Sequence, residues 1–309
     1  MGRDELAATS SGWFVTGLLQ NIIDGLGLGS IYALLALGIA VIFGVMHLLN
    51  FAHGELITVG AYVTYWAFTR GISWIWIAPL LVVVGVGTSL AIEQVAFRHV
   101  RGASDSTLLL TSFGVHFVVE AFFLMYVSAS VKTFARPGWI TDTVRIGAIN
   151  VEIFDIVVIA VTIVTLVLTA ALLQRTMFGV ALRAAAEDFD AARLMGVRSD
   201  NVIRGAFALA GALGGVAAIF WLMRAGQATP SAGITPMLKG VLAALIGGLG
   251  SLRGAVIGGL TLGLAEVLLR SQLPNSIEGL TNGFVFVLIA LLFIFRPQGI
   301  ITVGRAERV

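Results

Sequence analysis

Cysteine is absent from the sequence, and charged residues are scarce. Without cysteine the chain has no disulfide, thiolate metal site, cysteine nucleophile or palmitoyl anchor. Of its 309 residues, 12% are charged and 58% are hydrophobic, whereas an average soluble protein has about 25% charged residues. So few charges could not cover the surface of a soluble domain of this length. The composition therefore predicts an integral membrane protein in contact with lipid.

The sequence also lacks several motifs that would indicate other functions. The 19 basic and 17 acidic residues give a net charge of +2 with no basic block, which argues against nucleic-acid binding. No phosphate-binding loop of the form Gly-x-x-x-x-Gly-Lys-Ser/Thr is present, so this chain should have no ATPase site of that kind. No Gly-x-Ser-x-Gly elbow and no His or Cys cluster with metal-ligand spacing is found. We therefore expect no catalytic residues, metal site or cofactor in this chain.

Apolar runs without charged residues predict membrane helices. The runs are continuous rather than alternating, which favours helices over the strands of a barrel. We predict an all-α, polytopic membrane helical bundle of about eight transmembrane helices, some of them short or broken. The runs are Trp13–Ile23, Gly25–Gly54, Leu56–Thr69, Gly71–Ile92, Ser106–Val119 (continuing to Val131 past Glu120), Ile156–Gln174, Gly205–Met223, Gly240–Leu252, Gly254–Ala265 and Gly279–Phe295.

Glycine is abundant within these runs, at 37 residues in the whole chain. Gly-x-x-x-Gly spacings within 254–263 suit close helix packing, and the alternative is a discontinuous helix beside a transport path. As one helix, Trp13–Met46 would be about 50 Å long, so we expect Asp24–Gly29 to interrupt it. Gly247–Gly254 is the best candidate for a second break. The glycine pattern of the first helix is echoed in this late region, too weakly to define a repeat.

The distribution of Lys and Arg predicts the orientation in the membrane. If segments 98–106, 175–204 and 296–309 share one side with Arg253, that side holds 11 basic residues. The other side holds seven, Lys239 among them. The excess predicts that the first side, and with it the C-terminus, is cytoplasmic. The side of the N-terminus stays open, and no cleaved signal peptide is predicted.

Segment 175–204 is the largest polar segment between the apolar runs, with nine charged residues. Within it, Ala184–Met195 is rich in strong helix formers, and Gly196 is placed to end a helix. Acidic residues come early and a basic residue late, as the helix dipole favours. We predict one short amphipathic cytoplasmic helix that transmits force between a soluble partner and the two flanking spans. The alternative is an ordinary solvated loop.

Several strings resemble a known family. Asp190-Ala191-Ala192 followed by Gly196 resembles the E-A-A-x-x-x-G coupling motif of ABC importer permeases, with Asp in place of Glu and without the Ile-x-Leu-Pro that follows it elsewhere. Longer strings are Gly29–Gly38, Asn50–Glu55, Gly60–Tyr62, Leu182–Val197 and Arg296–Gly299. Together they resemble the permeases of branched-chain amino acid ABC transporters, over about residues 15 to 300.

This resemblance implies one transmembrane permease domain over residues 1–309, in the bacterial inner (cytoplasmic) membrane. The chain would translocate branched-chain or related amino acids into the cytoplasm by alternating access. The implied partners are a second related permease, two ABC ATPase subunits that hold ATP and Mg, and a periplasmic substrate-binding protein. Urea or short amides remain alternative substrates. The residues assigned to coupling with the ATPases are Glu187, Asp188, Asp190, Ala191, Ala192 and Gly196, within a cytoplasmic coupling loop at about 175–204.

Ionisable and polar groups at membrane depth are the remaining functional candidates. Asn50 and His53 are three residues apart, which predicts a shared helix face, whereas Glu55 would point away. We expect these three residues either to hold helices together through polar contacts or to line the transport path. Glu120 and Glu266 are expected to form interhelical or inter-subunit hydrogen bonds. The alternative function is a stand-alone secondary transporter or channel that uses these carboxylates for ion coupling.

Overall fold

The computed structural model describes residues 3–147, 149–274, 280 and 283–287. The described part is a helical bundle, which confirms the predicted all-α class. The helices are α1 (Arg3–Met46), α2 (Glu55–Thr69), α3 (Trp74–Ile92), α4 (Asp105–Tyr126), α5 (Ile153–Arg175), α6 (Met177–Glu187), α7 (Phe189–Leu194), α8 (Ser199–Ala225), α9 (Ile234–Gly247) and α10 (Leu252–Gln272). Two short antiparallel ribbons pair β1 (Lys132–Thr133) with β4 (Gln227–Ala228) and β2 (Thr143–Ile146) with β3 (Ile149–Glu152).

Six of the described helices are long and apolar enough to cross a membrane: α1, α3, α4, α5, α8 and α10. The apolar helix α9 has 14 residues, which at 1.5 Å per residue is shorter than the roughly 30 Å of a hydrocarbon core. The 15 residues of α2 are also too few. Because most of the predicted run Gly279–Phe295 lies outside the described residues, the predicted total of about eight spans stays a prediction.

Helix α1 continues through Asp24–Gly29, so the predicted break there is wrong. The glycines serve packing instead, because a Cβ on Gly25 or Gly29 would lie 3.0 or 2.9 Å from a backbone Cα of α10. Close contact on several sides makes α1 the central helix: 89% of its most apolar window is buried, against 22% for α4 and for α5. Interruption comes only after Met46, where His47 has a φ of 52°.

The loops define two ends of the bundle. At the first, which we call the coupling end, Met46 of α1, Arg101 and Asp200 of α8 surround a single cavity together with α7. Segments 98–106 and 175–204 therefore share one end, as the charge count supposed. The opposite end carries the two ribbons, and we call it the hairpin end after β2 and β3. There β1 pairs with β4, and the N–H of Phe134 donates to the carbonyl of Gly226 at 3.1 Å.

Helices α2 and α9 both begin inside the bundle and run to opposite ends. Their first turns meet: the N–H of Gly233, just before α9, donates to the Thr58 hydroxyl at 3.1 Å. A Cβ on Gly54, just before α2, would lie 2.7 Å from the Gly233 carbonyl oxygen. Only glycine fits between these two backbones. The bundle thus contains two half-length helices whose N-terminal ends point at one another, the arrangement that the sequence left open as a discontinuous helix.

The order long helix, half-length helix, long helix occurs twice, in opposite directions across the bundle. In the first copy (α1, α2, α3) and the second (α8, α9, α10), the first long helix packs through glycines on the last long helix of the other copy. A Cβ on Gly211 or Gly215 of α8 would lie 2.8 Å from a backbone Cα of α3, matching the contact of α1 with α10. The order is therefore an inverted repeat, in which α1 corresponds to α8. The glycine echo between the first helix and the late region has another origin, because α1 and α10 pack on one another through glycines.

The glycine-rich segment Gly247–Gly254 contains the expected interruption, but in a different form. Gly248 and Gly250 have φ values of 97° and 87°, and they turn the chain between the antiparallel helices α9 and α10. A Cβ on Gly258 would lie 3.0 Å from the Cα of Gly247. The spaced glycines of α10 therefore bring helices close together, as the packing interpretation predicted.

A buried polar triad joins α1, α9 and α10. Lys239 Nζ lies 2.6 Å from Glu266 Oε1 and donates to the Tyr32 hydroxyl at 3.0 Å, and that hydroxyl donates to Glu266 Oε2 at 2.9 Å. All three side chains are buried. The interhelical role expected of Glu266 is confirmed. The sequence count placed Lys239 outside the bundle on one side, which is wrong: a lysine can lie in the interior when a carboxylate pairs it.

We expect Lys239→Met to lower the free energy of unfolding by about 3–5 kcal/mol, because it leaves Glu266 charged and unpaired in the interior. The double variant Lys239→Met/Glu266→Gln removes the buried charge and should regain at least half of that loss. Denaturation in lipid–detergent micelles, followed by circular dichroism, measures both. The control Arg193→Met breaks an exposed pair, Arg193–Asp190 at 3.9 Å, and should change stability by less than about 1 kcal/mol. A double variant no more stable than Lys239→Met would contradict the pairing.

Candidate functional site

Segment 175–204 folds into two helices, so the single helix predicted over Ala184–Met195 is wrong. Helix α6 ends at Glu187 and α7 begins at Phe189, with Asp188 extended between them at φ −150°. The Asp188 carboxylate accepts hydrogen bonds from the N–H groups of Asp190 and Ala191, at 3.1 and 3.0 Å. An aspartate in this position caps a helix start more favourably than it continues a helix. Asp188 therefore separates the two helices rather than lying on one face with its neighbours.

Gly196 ends α7, as predicted. Its φ is +89°, its N–H donates to the Arg193 carbonyl at 3.0 Å, and the next N–H, of Val197, reaches back to Ala192 at 3.1 Å. A Cβ at Gly196 would meet no atom within 4 Å. The requirement for glycine is therefore the left-handed backbone rather than space.

The surface of α7 that faces away from the bundle combines apolar and charged groups. Ala192 is buried, whereas Ala191 is exposed and Leu194 and Met195 are 88% and 86% exposed. The side chain of Asp190 is 92% exposed. Two large apolar side chains that are this exposed at the end of a membrane bundle are typical of a docking surface. Glu187 is also exposed, at the end of α6.

Behind α7 lies a cavity of about 480 Å³ at the coupling end. It separates Phe189 and Arg193 of α7 from the end of α1 and from Asp105 at the start of α4. The short segment Met195–Arg198 joins α7 to α8. Helix α7 is therefore joined directly to α8 along the chain, and it also packs on α6.

Asn50 does not share a helix face with His53. A 3₁₀ turn covers Phe51–Gly54, and Asn50 lies before it, where its side-chain oxygen accepts from the N–H of Ala52 at 3.0 Å. The prediction was wrong because the spacing was interpreted as α-helical, whereas Asn50 lies outside the helix. Asn50 is buried and fixes the turn that leads into α2.

His53 lies between the two most buried helices, α1 and α8. A Cβ on Gly38 would lie 2.9 Å from the imidazole ring, and one on Gly214 would lie 3.3 Å from it. The ring is 1% exposed, and neither nitrogen has a hydrogen-bond partner in the described part of the chain. Two glycines therefore form a slot that an imidazole fills, and burial of its unpaired nitrogens is costly.

Glu55, the first residue of α2, pairs with a helix distant in sequence. It is 0% exposed, and its Oε1 lies 2.5 Å from His116 Nδ1 in α4. The other imidazole nitrogen of His116 is 3.7 Å from Glu120 Oε2, one turn along α4. The structure thus brings Glu55, His116 and Glu120 into one polar row, with Glu120 partly exposed.

Two residues of these polar contacts were missed as partners in the sequence. His116 is 61 residues from Glu55, so no spacing rule links them, although a histidine within an apolar helix is itself a signal. Lys239 gave the same kind of signal as a solitary lysine in a run of apolar residues. Segment Arg296–Gly299, which contributed to the family resemblance, lies outside the described residues.

Comparison with known proteins identifies the family of this chain. A family model described as the permease component of branched-chain amino acid transport systems matches residues 21–295. The high-affinity branched-chain amino acid transport system permease protein BraD of Pseudomonas aeruginosa is 31% identical over 304 residues, covering 94% of this chain and 96% of BraD. The corresponding protein LivH of Escherichia coli is 30% identical over 303 residues, covering 94% of this chain and 96% of LivH. The chain therefore belongs to the family of branched-chain amino acid transport system permease components.

Proposed function

We propose that this chain is the permease subunit of an ATP-binding-cassette importer and moves branched-chain amino acids into the cytoplasm by alternating access. The observation that carries the proposal is the family match over residues 21–295, and the relatives BraD and LivH, which are branched-chain amino acid permeases by name, supply the substrate class. The proposed partners are a second related permease, two ATPase subunits that hold ATP and Mg, and a periplasmic substrate-binding protein.

The coupling end is proposed to face the cytoplasm of a bacterium, with the hairpin end toward the periplasm. Two observations support this orientation. The arginine-rich segments 98–106 and 175–204 lie at the coupling end, and an excess of basic residues is typical of cytoplasmic loops. The exposed apolar residues of α7 stand at the same end, where a soluble ATPase could reach them. The C-terminus is proposed to be cytoplasmic as well.

We propose that the ATPases act on the bundle through α6 and α7. Three features of the segment support this role: exposed Leu194 and Met195, a charged face, and a cavity behind α7 that leaves room for movement. Asp188 and Gly196 fix the two ends of α7, so that a force applied to this helix moves it as one body. Conformational work can then enter α8, which packs against α1 and α3.

Asn50, His53 and Glu55 are proposed to hold the start of α2 in place rather than to contact the substrate. All three are buried, and each has a defined structural neighbour: the Ala52 N–H, the Gly38–Gly214 slot and His116. Glu55 also places a carboxylate in the first turn of α2, where it is favoured by the helix dipole. This arrangement offsets the cost of starting a helix inside the bundle.

Variants of α7 test the proposed coupling role. The double variant Leu194→Asp/Met195→Asp should lower both recovery of the ATPases with the permease and leucine uptake by about tenfold or more, because charge replaces the apolar docking surface. Gly196→Val should also reduce uptake, because valine disfavours a φ of +89°. The control Arg98→Gln changes an exposed residue at the same end but outside α6 and α7, and it should keep uptake. Normal uptake by the double variant, at a normal membrane level, would refute the role of α7.

Substitution of Glu55 separates the structural role from a role in the transport path. Glu55→Gln keeps a side chain that can hydrogen-bond to His116, so uptake per folded complex should stay within about twofold of the unsubstituted protein. Glu55→Ala leaves His116 without this partner and should lower the thermal midpoint measured in detergent. If Glu55→Gln abolished uptake while leaving the thermal midpoint unchanged, the carboxylate would belong to the path.

A further inference from the structure

A network of four charged residues ties the end of α3, the α3–α4 loop and the start of α8 together at the coupling end. The guanidinium of Arg101 donates through one nitrogen to the Glu93 carboxylate and through another to the Asp200 carboxylate. Arg204 Nε lies 3.9 Å from the second oxygen of Glu93. The Glu93 side chain is 0% exposed, whereas Asp200 and Arg204 are partly open to solvent. Two carboxylates and two guanidinium groups alternate, so the network is neutral.

The positions of these residues make the network a link between elements. Glu93 opens a π-helical turn, Glu93–Phe97, that continues α3. Arg101 lies in the loop just before Ser104, whose hydroxyl caps the start of α4. Asp200 and Arg204 lie in the first two turns of α8, directly after the segment that joins α8 to α7. Arg101 therefore connects the α3–α4 loop to the point where α7 meets α8.

Contacts deeper in the bundle extend this link along α3 and α8. The Ser89 hydroxyl, one turn before Glu93, donates to the Phe207 carbonyl of α8 at 2.7 Å. One turn further, Gly85 and Gly211 bring the two backbones into contact. An isolated buried carboxylate is strongly unfavourable, so the end of α3 is held to Arg101 and Arg204. Helices α3 and α8 are thus joined from the interior to the coupling end.

Segment 175–204 also contacts α1, since one apolar cluster contains Val41, Ile42 and Val45 of α1 together with Leu182, Ala185 and Ala192. The cavity lies between α7 and the end of α1, and a Cβ on Gly44 of α1 would meet only the Ala186 Cβ, at 3.9 Å. Movement of α7 therefore reaches α1 through apolar contacts, and it reaches α3 and the start of α4 through α8 and the charged network.

We infer that Arg101 is a positioning residue that makes α3 and the start of α4 follow α8 when α7 is displaced. The inference rests on the proposed function, because it takes α7 as the contact with the ATPases. Arg101 itself keeps Glu93 of the α3 end and Asp200 of α8 together, and it binds neither substrate nor nucleotide. Its loss should separate ATP hydrolysis from transport.

The test uses the complete importer in liposomes, with the double variant Glu93→Gln/Arg101→Gln. This variant removes the link without leaving a buried carboxylate unpaired. We expect the ATPases to co-purify normally and ATP hydrolysis to stay within about twofold, while leucine transported per ATP falls about tenfold. A purely structural defect would instead lower the amount of complex and scale both activities together. An unchanged ratio of leucine to ATP would overturn the inference, as would loss of the ATPases on purification.

Two further variants complete the test. Arg98 is three residues before Arg101 and is exposed at the coupling end. Arg98→Gln removes a positive charge there and should leave the leucine-to-ATP ratio unchanged. Arg204→Gln removes the weaker, partly exposed contact with Glu93 and should lower the leucine-to-ATP ratio by a smaller factor. This variant replaces the double variant if the double variant does not accumulate in the membrane. An unchanged ratio would then overturn the inference. Failure of the proposed function itself would show differently, as unsubstituted protein that transports without ATPases.

Discussion

The structure depends on two half-length helices that begin in the interior of a membrane bundle. The first turn of any helix has N–H groups without helical partners, and in lipid such groups must be satisfied within the protein. The chain meets this constraint by bringing the starts of α2 and α9 together, where the Gly233 N–H bonds to Thr58. Glycine at positions 54 and 233 permits the contact, and Asn50 fixes the turn that precedes α2. Asn50, Glu55 and Thr58 are buried polar residues that serve this requirement.

The same constraint shapes the helices around the two starts. Helices α1 and α8 flank the centre, and each packs through glycines on the last long helix of the other repeat. His53 fills the slot between them. Such close contact leaves little freedom for one helix to shift without its neighbours, because closely packed protein interiors have low compressibility and transmit a displacement from one helix to the next. A displacement that enters through α7 at the coupling end can therefore reach the centre of the bundle.

The sequence predicted the fold class, because composition alone distinguishes a membrane bundle. It also predicted a helix that ends at Gly196 within segment 175–204, because helix formers and helix ends are marked by neighbouring residues. It placed Gly196 correctly, since a glycine after a polar helix is a local stop signal. It failed at Asp24–Gly29, where glycines read as a break are instead contact points with a helix more than 200 residues away. The sequence places Asp188 with Glu187 and Asp190 on one helix, although an aspartate can equally cap a new helix. The pairing of Glu55 with His116 and of Lys239 with Glu266 depends on tertiary packing, which spacing along the chain does not reveal.

Reconstitution in liposomes tests the central claim most directly. The permease is combined with its proposed second permease, ATPases and binding protein, and the accumulation of labelled leucine is measured with and without ATP. The account predicts that leucine accumulates only when ATP and every subunit are present. Valine and isoleucine should inhibit this accumulation, whereas urea should not. Leucine transport by this chain alone, driven by an ion gradient and indifferent to ATP, would contradict it.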